Sequence, residues 1–177
     1  MNAPVVVVGE FMEEPALAPL QEAYALLYDP SLVDDRARLL QTLPHARALI
    51  VRNRTRVDAE LLAVAPRLQV VGRLGVGLDN IDLKACRERN IGVYPATGAN
   101  AVAVAEYVIA AALILRRGAF HANAAVVAGQ WPRNSLVGGE LAGQTLGLWG
   151  FGDIARRVAA RARARGLPGV APPPYLA

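Results

Sequence analysis

The chain has 177 residues, a formal net charge of +4 and a hydrophobic fraction of 54% that is inflated by alanine. This length can bury a real core in one or two modest domains, and the single cysteine, Cys86, excludes an internal disulfide and with it a disulfide-built secreted scaffold. Residues 101–115 are too short and, with Glu106, too polar for a membrane span, and no secretory signal is evident, so we expect a cytoplasmic protein without a membrane partner.

Strands and helices alternate through the first half of the chain. Short apolar runs predict strands at residues 5–8, Ala48–Val51, 68–72 and 91–94. Helical spacing of apolar residues predicts helices at residues 16–27, from an N-cap at Ser31 through Leu40, at 57–65 and at 81–89. Such alternation is typical of parallel βαβ units covered by helices. The sequence therefore predicts an α/β domain with a doubly wound parallel sheet.

Residues 95–100 interrupt this alternation with turn-forming residues. Asn100 can cap the long helix that follows, which we predict at residues 101–117. Because this helix is apolar on most sides, we expect it to be buried between domains or against another subunit. We therefore predict two domains, at residues 1–98 and 99–177.

Arg52 and Asn53 directly follow the strand at Ala48–Val51. Ligands of open α/β sheets bind beyond the carboxyl ends of the strands, so both residues are predicted to face a ligand, and Arg52 can orient an acidic substrate. Arg54 and Arg56 either favour a second anionic group, such as phosphate or sulfonate, or are solvated surface arginines.

A glycine fingerprint, GFGDIA, occupies residues 150–155. Residues 144–149 are predicted to form a short buried strand before it and residues 154–165 a helix after it, which is the context of a dinucleotide-binding turn. In such a turn Gly150 permits the tight bend, Gly152 lets the backbone approach a pyrophosphate, and Ala155 allows close helix packing. A single match of this kind is also typical of a glycine-rich turn in any α/β protein.

Arginine supplies 18 of the 19 basic residues, and Arg157, Arg161 and Arg165 share one face of the last predicted helix. No aromatic residues interleave with them, and no zinc-binding or recognition-helix signature accompanies them. We therefore predict a solvated helix face, with no nucleic-acid partner and no metal site.

Residues 71–82 read VGRLGVGLDNID, and Trp131, Gly147 and the late fingerprint follow them. This combination resembles the D-isomer-specific 2-hydroxyacid dehydrogenases over about residues 5–165. The resemblance implies a flavodoxin-like substrate domain, followed by the beginning of a Rossmann domain, with NAD and a 2-hydroxy acid bound in the cleft between them. It also implies hydride transfer between substrate C2 and the nicotinamide, with a histidine as acid/base and an arginine holding the substrate.

Carried over residue by residue, the resemblance assigns Gly75, Val76 and Gly77 to a turn whose N–H groups face the substrate carboxylate, with Val76 also near the nicotinamide. Consecutive small residues in such a turn form an anion-binding nest, although the glycines alone are also typical of a tight turn that needs positive φ. Asn100 either touches cofactor or substrate or is only a helix cap. The cofactor residues of the late turn are Gly150, Gly152, Asp153 and Ile154.

The chain departs from the family at the catalytic residues. The family's arginine, glutamate and histidine lie beyond the fingerprint, and no residue here matches them. His45 and His121 match neither the position nor the context of the family histidine, so we predict that they are surface or helix-end residues and assign no catalytic residue. We therefore expect a truncated chain with little or no turnover.

The cofactor cues depart as well. An acidic residue usually follows the glycines by about 20 positions and binds the adenosine ribose, but Pro173 stands there. The resemblance implies NAD, and without this acidic residue NADP stays open. The segment from Pro168 onward is predicted to be a lost strand. Asp153 stands where the family often has arginine, and its charge would repel a pyrophosphate while favouring a helix N-terminus.

Three functions stay open at this point. The first is an NAD-dependent 2-hydroxyacid dehydrogenase, and the second is a non-catalytic protein that binds dinucleotide or dimerises. The third, a response-regulator-like receiver built on the first domain, is disfavoured because Arg52 and Asn53 stand where a phosphorylatable aspartate would follow the third strand. We expect a homodimer or hetero-association through the helix at 101–117, and poor stability of the region from residue 144 when alone, because its apolar faces lack partners.

Overall fold

The computed structural model describes residues 5–171, and the chain divides into two compact units, residues 1–97 and 98–177. The first unit contains strands and helices in alternation. Its strands are β1 (Val6–Val8), β2 (Leu26–Tyr28), β3 (Ala48–Val51), β4 (Val70–Arg73) and β5 (Gly92–Pro95). Its helices are α1 (Glu14–Ala23), α2 (Arg36–Thr42), α3 (Ala59–Ala63) and α4 (Leu83–Glu88), with a 3₁₀ helix at Pro30–Val33.

The five strands form one parallel sheet in the order β2-β1-β3-β4-β5. This is the flavodoxin-like order, in which the chain winds outward from β1 first to one side and then to the other. Val8 pairs with Ile50 and Val51 with Arg73, so β1, β3 and β4 end at the same edge. The predicted α/β class with a parallel sheet is confirmed.

Both faces of this sheet are covered. Val7, Leu49 and Val71 point into the main core, which also contains buried leucines of the second and third helices. Val6 and Val8 point to the opposite face and pack with Leu17 of α1. The alternation of side chains along β-branched strands therefore produces two cores, as a doubly wound sheet requires.

Aspartate side chains fix the starts of three helices in the first unit. Asp35 accepts a hydrogen bond from the N–H of Arg38, Asp58 from that of Leu61, and Asp82 from that of Ala85, at 2.9–3.0 Å. Each bond satisfies an N–H group that has no partner inside its helix. These caps set the first residues of α2, α3 and α4.

Two predictions for the first unit were wrong in detail. The helix expected at 16–27 ends at Ala23, and the apolar residues beyond it pair with β1 as β2. The single helix expected from Ser31 is instead a 3₁₀ helix followed by α2. Asp29, not Ser31, caps the 3₁₀ helix, since its carboxylate accepts the Ser31 N–H at 3.0 Å.

The second unit consists mainly of helices with a small sheet. Its helices are α5 (Ala101–Arg116), α6 (Asn123–Val127) and α7 (Asp153–Ala164), with 3₁₀ helices at Gly118–His121 and Asn134–Leu136. Strands β6 (Thr145–Gly147) and β7 (Gly169–Ala171), which precede and follow α7 in the sequence, pair in parallel. Ala105 and Ile109 of α5 pack with Val158 and Ala162 of α7 in the core of this unit.

Two predictions for the second unit were also wrong. The strand expected to be buried at 144–149 is only three residues long, and neither Thr145 nor Gly147 is buried. The strand expected to be lost after Pro168 is present, because Gly169–Ala171 pairs with β6. Pro173, expected where the ribose-binding acid would stand, lies outside the described residues.

Helix α5 is less buried than its composition predicts. Ala101, Ala105 and Ile109 are buried, whereas Tyr107 and Leu115 expose 74% and 86% of their surface. Within residues 5–171 no helix has the length and apolar character needed to cross a membrane.

Candidate functional site

The first candidate site lies at the edge of the sheet where β1, β3 and β4 end. The strand order reverses between β1 and β3, and the loops that follow these two strands flank the point of reversal. Open α/β sheets bind their ligands at such a point, outside the carboxyl ends of the strands. Residues 9–13 and 52–56 form these two loops.

Glu10 holds the loop after β3 in place. Its carboxylate accepts hydrogen bonds from the N–H groups of Arg52 at 2.8 Å, Thr55 at 3.0 Å and Arg54 at 3.3 Å. Only 4% of Glu10 is exposed. Burial raises the pKa of this carboxyl, but the hydrogen bonds, led by that from Thr55, outweigh burial and lower the pKa below its ordinary value. Glu10 therefore serves as a fixed anion that shapes the loop.

Asn80 ties the same loop to the next one. Its side-chain amide donates to the carbonyl oxygens of Thr55 at 2.7 Å and Arg52 at 3.2 Å. The backbone carbonyl oxygen of Asn80 accepts a hydrogen bond from the N–H of Val57 at 2.8 Å. The loop that carries Arg52 is thus held from both sides through its backbone, which leaves the arginine side chain free for other contacts.

The Arg52 guanidinium lies over the Phe11 ring, 5.9 Å from its centroid. A hollow of about 310 Å³ opens beside this pair, and Phe11, Met12, Glu13, Ala16, Arg52 and Leu74 line it. The ion pairs found within residues 5–171 do not include Arg52. Asn53 is exposed next to Arg52. The structure therefore brings both predicted residues to the sheet edge, with Arg52 directed into a concave surface.

The turn after β4 lies at the same edge. Gly75 has φ +153°, which favours glycine, and its N–H donates to the Arg73 carbonyl at 2.8 Å. Within residues 5–171 the N–H groups of Val76 and Gly77 have no hydrogen-bond acceptor, and both residues are exposed. Two adjacent free N–H groups are the components of an anion-binding nest.

The second candidate site is the glycine turn of the second unit. Gly150 has φ +89°, and Gly152 is the N-cap of α7 without a side-chain cap bond. A Cβ built on either glycine would meet no atom within 4 Å, so the space above the turn is open. A hollow of about 310 Å³ adjoins it, lined by Val108, Leu148, Trp149, Gly150, Gly152, Ile154, Ala155 and Val158.

Asp153 occupies the first turn of α7, and its carboxylate accepts from Arg157 Nε at 3.0 and 3.1 Å. This pair partly offsets the negative charge that would otherwise face a phosphate. Arg156 is the first residue whose N–H bonds back within the helix, to the Gly152 carbonyl at 3.0 Å. The N–H groups of Asp153, Ile154 and Ala155 therefore point out of the helix end, as an anion site requires.

The family model named "D-isomer specific 2-hydroxyacid dehydrogenase, catalytic domain" matches residues 5–165. The chain belongs to this family. Over 171 residues it is 56% identical to the (S)-sulfolactate dehydrogenase of Chromohalobacter salexigens, which covers 97% of this chain and 55% of that protein. Over 179 residues it is 40% identical to the D-3-phosphoglycerate dehydrogenase of Mycobacterium leprae, covering 100% of this chain and 33% of the relative.

Solved structures give the same result. The NAD-dependent formate dehydrogenase of Staphylococcus aureus, solved in complex with NAD, matches with a TM-score of 0.72 at 28% identity. That match covers 94% of this chain and 54% of the formate dehydrogenase. The chain thus spans between a third and about half the length of these 2-hydroxyacid dehydrogenase relatives.

Both histidines of this 2-hydroxyacid dehydrogenase chain are exposed. His45 is exposed and precedes β3, at the edge of the sheet opposite to Arg52. His121 is exposed and ends a 3₁₀ helix of the second unit. Among residues 5–171 no three His, Cys, Asp or Glu side chains are grouped as a metal would need.

Asn100 is at the N-cap of α5, as expected, but its side chain makes no cap hydrogen bond, so that part of the prediction was wrong. Its backbone carbonyl accepts the N–H of Val104 at 2.9 Å, and the side-chain amide is exposed.

Three residues of the first site escaped sequence reasoning. Glu10, Asn80 and Phe11 organise the loop and the Arg52 side chain, although their positions carry little signal on their own. A single glutamate two residues after a β-branched strand was the one available cue, since a buried carboxylate needs several donors and loops that follow neighbouring strands supply them.

Proposed function

We propose that this chain supplies the substrate-binding unit and the cofactor diphosphate turn of an NAD-dependent oxidoreductase that acts on the CH–OH group of a D-2-hydroxy acid. The observation that carries the proposal is that Arg52 and two N–H groups lie at the same edge of the sheet. These are the N–H groups of Val76 and Gly77, which have no acceptor within residues 5–171. The N–H nest suits the carboxylate of a 2-hydroxy or 2-keto acid, and a cation beside it suits a second anionic group. Asn53 and Gly75 complete the proposed substrate contacts.

The preferred substrate carries a second anionic group, either phosphate or sulfonate. The sulfolactate and phosphoglycerate dehydrogenases named above support this choice, because the names of both describe acids of that kind. The chain offers Arg52 for the second group, while Arg54 already pairs with Asp34. We therefore expect Arg52 to contribute more to such a substrate than Arg54.

The second unit fits a dinucleotide at its diphosphate. Open space over Gly150 and Gly152 and the outward N–H groups of Asp153 and Ile154 suit two phosphates, although the Asp153 carboxylate opposes them. When bound, the nicotinamide supplies or accepts the hydride. Val76 and Asn100 are proposed as further cofactor contacts, and NAD is the expected cofactor with NADP as the alternative.

We expect residues 1–177 alone to turn over little or no substrate. Glu10 is the buried carboxylate among the described residues, but three N–H groups hold it ionised, which makes it a poor proton donor. His45 lies at the opposite edge of the sheet. Neither Glu10 nor His45 is therefore expected to transfer a proton to the substrate oxygen.

Isothermal titration with NADH, beside reduction of hydroxypyruvate, 3-phosphohydroxypyruvate and 3-sulfopyruvate followed at the nicotinamide absorbance, tests the proposal. We expect NADH to bind and the rate to stay at background. Turnover would contradict the expected need for further acid–base groups. Absence of binding by NADH and by all three acids would contradict the proposed function itself.

A second function, association without catalysis, is favoured by the exposed apolar surface of α5. Tyr107 and Leu115 are large and solvent-exposed, and Val102 lies on the same helix. We propose that helix 101–117 joins two copies of the chain or a longer relative. Sedimentation velocity of the chain and of Leu115→Ser tests this: a monomer at all concentrations would contradict self-association.

A further inference from the structure

Phe11 lies on the loop after β1, between two anchored residues. Before it, Glu10 is buried and accepts hydrogen bonds from N–H groups of the loop after β3. After it, Met12 is fixed by Tyr28 at the end of β2. The Tyr28 hydroxyl accepts the Met12 N–H at 3.4 Å and donates to the Met12 carbonyl at 3.3 Å. Phe11 itself exposes 51% of its surface. The backbone therefore holds a half-exposed aromatic ring in a defined place at the sheet edge.

The Phe11 ring contacts the charged end of Arg52, whose Cζ lies 5.9 Å from the ring centroid. At that distance the negative face of an aromatic ring attracts a cation. The hydrogen bonds of Arg52 within residues 5–171 run through its backbone, since Glu10 accepts its N–H and Asn80 donates to its carbonyl. No ion pair in that part of the chain includes Arg52. The ring is therefore the contact that orients the guanidinium.

A carboxylate lies near enough to compete with the ring for this cation. Glu13 is exposed and lines the same hollow of about 310 Å³ as Phe11 and Arg52, but it is not paired with Arg52. An ion pair between the two would occupy N–H donors of the guanidinium. Stacking on Phe11 uses the flat face of the guanidinium instead and leaves its in-plane donors available to an anion.

We propose that Phe11 is a positioning residue that sets the preference for a second anionic group on the substrate. Its ring holds the Arg52 guanidinium at the hollow and away from the Glu13 carboxylate, so a phosphate or sulfonate binds a cation that is already oriented. This inference rests on the proposed function, in which Arg52 binds that group. Phe11 acts through Arg52 and does not itself touch the reacting atoms.

The test is an NMR titration of the ¹⁵N-labelled 177-residue chain with pyruvate, which has one anionic group, and with 3-sulfopyruvate, which has two. Phe11→Leu keeps an apolar side chain but removes the aromatic face. We expect it to weaken 3-sulfopyruvate by about two- to fivefold and to leave pyruvate unchanged. Phe11→Tyr keeps the ring and retains both affinities. Tyr24→Leu, which removes a similarly exposed ring at the end of α1, is the control and changes neither affinity.

A double-mutant cycle shows whether the ring acts by keeping Arg52 from Glu13. In the wild-type background Glu13→Gln is expected to strengthen 3-sulfopyruvate only slightly, because Arg52 is already unpaired. In the Phe11→Leu background the same change is expected to restore most of the lost affinity, since the competing carboxylate is gone. An equal effect of Glu13→Gln in the two backgrounds would contradict this competition.

The Nε–H resonance of Arg52 gives a second measurement that needs no ligand. We expect it to move in Phe11→Leu, where the ring current is lost, and to stay near its wild-type position in Phe11→Tyr. An unchanged resonance in Phe11→Leu would show that the ring does not hold the guanidinium in solution, which would overturn the inference.

The outcomes distinguish this inference from the proposed function. Unchanged 3-sulfopyruvate affinity in Phe11→Leu, together with a loss in Arg52→Gln, would overturn the role of Phe11 and leave the proposed function standing. Equal weakening of pyruvate and 3-sulfopyruvate in Phe11→Leu would indicate a general structural role of the ring and would also overturn the inference. A wild-type chain that binds neither acid would overturn both.

Discussion

Leu49 and Val71 are completely buried in the first unit, whereas Leu146 in the second unit is only partly buried and Trp149 exposes 89% of its surface. Both units are built from parallel strands and amphipathic helices, so the number of strands makes the difference. Five strands covered on both faces bury one another's apolar side chains, while two three-residue strands cannot. The first unit of this chain thus has a filled core of its own, whereas the second unit has less core.

Truncating one leucine in each unit should give the largest difference in the free energy of unfolding. Leu49→Ala creates a cavity in a filled core and should destabilise the first unit by about 2–5 kcal/mol. Leu146→Ala, at a half-buried strand position of the second unit, should cost about 1 kcal/mol because solvent and neighbours fill the space. Urea unfolding measures both.

The two tryptophans make the units separable in that experiment. Trp131 and Trp149 both belong to the second unit, so their fluorescence reports its unfolding, while far-UV circular dichroism reports the whole chain. We expect fluorescence to change at a lower urea concentration than the main dichroism transition. Coincident transitions, or equal effects of the two leucine variants, would contradict a difference in stability between the units.

Glu10→Gln should have the next largest effect. The amide keeps one acceptor oxygen but turns an NH₂ group towards backbone N–H donors, so at least one bond to Arg52, Arg54 or Thr55 is lost. We expect a loss of about 2 kcal/mol in the free energy of unfolding of the first unit. Glu22→Gln, an exposed position on α1, is the matched control and should change stability little.

The same carboxylate predicts a pH dependence. Its folded pKa lies below its ordinary value of 4.5, so its stabilisation is complete above pH 4.5 and is lost as pH falls through the folded pKa. The stability of the wild type should therefore fall towards that of Glu10→Gln in acid and differ from it above pH 5. A difference between the two proteins that stays constant from pH 3 to 7 would show that Glu10 is not the titrating group.

The sequence predicted the frame of the first unit because its signals are local. Apolar β-branched runs marked β1 and β3, and Arg52 followed directly from the end of β3. Strand β2 was missed since its leucines continue the helical spacing of α1, and pairing with β1 overrides that pattern. Glu10 and Asn80 were missed because their side-chain partners lie 25 to 45 residues distant in sequence, where periodicity carries no information.

The second unit was predicted less well for the same reason. The helix expected at 154–165 corresponds to α7, in which Val158 and Ala162 are buried. Burial of residues 144–149 was inferred from composition alone, but a strand is buried only where neighbours cover it. The pairing of Gly169–Ala171 was missed because the prolines after it argued against a strand.

Gly150→Ala tests the backbone of the glycine turn in the second unit. Alanine at φ +89° is strained although nothing crowds its Cβ, so we expect a loss of about 1–2 kcal/mol in the second unit only. Gly147→Ala, on the adjacent strand with equally open space, is the control and should be nearly neutral. Thermal unfolding followed by tryptophan fluorescence measures both, and equal effects would contradict a backbone origin.

Asp153→Asn should have the smallest effect, and its two consequences have opposite signs. Removing the carboxylate abolishes the ion pair with Arg157 and its interaction with the N-terminus of α7, so stability of the second unit should fall by about 0.5 kcal/mol. The freed Arg157 and the lost negative charge should both favour phosphates, so NADH affinity should rise by a few fold at low salt and less at high salt. Glu22→Gln, exposed on α1 in the first unit, controls for net charge. Tighter NADH binding in both variants would mean that overall charge is responsible. No change in Asp153→Asn would mean that phosphates do not approach the helix end, which would remove the glycine turn from the proposed cofactor site.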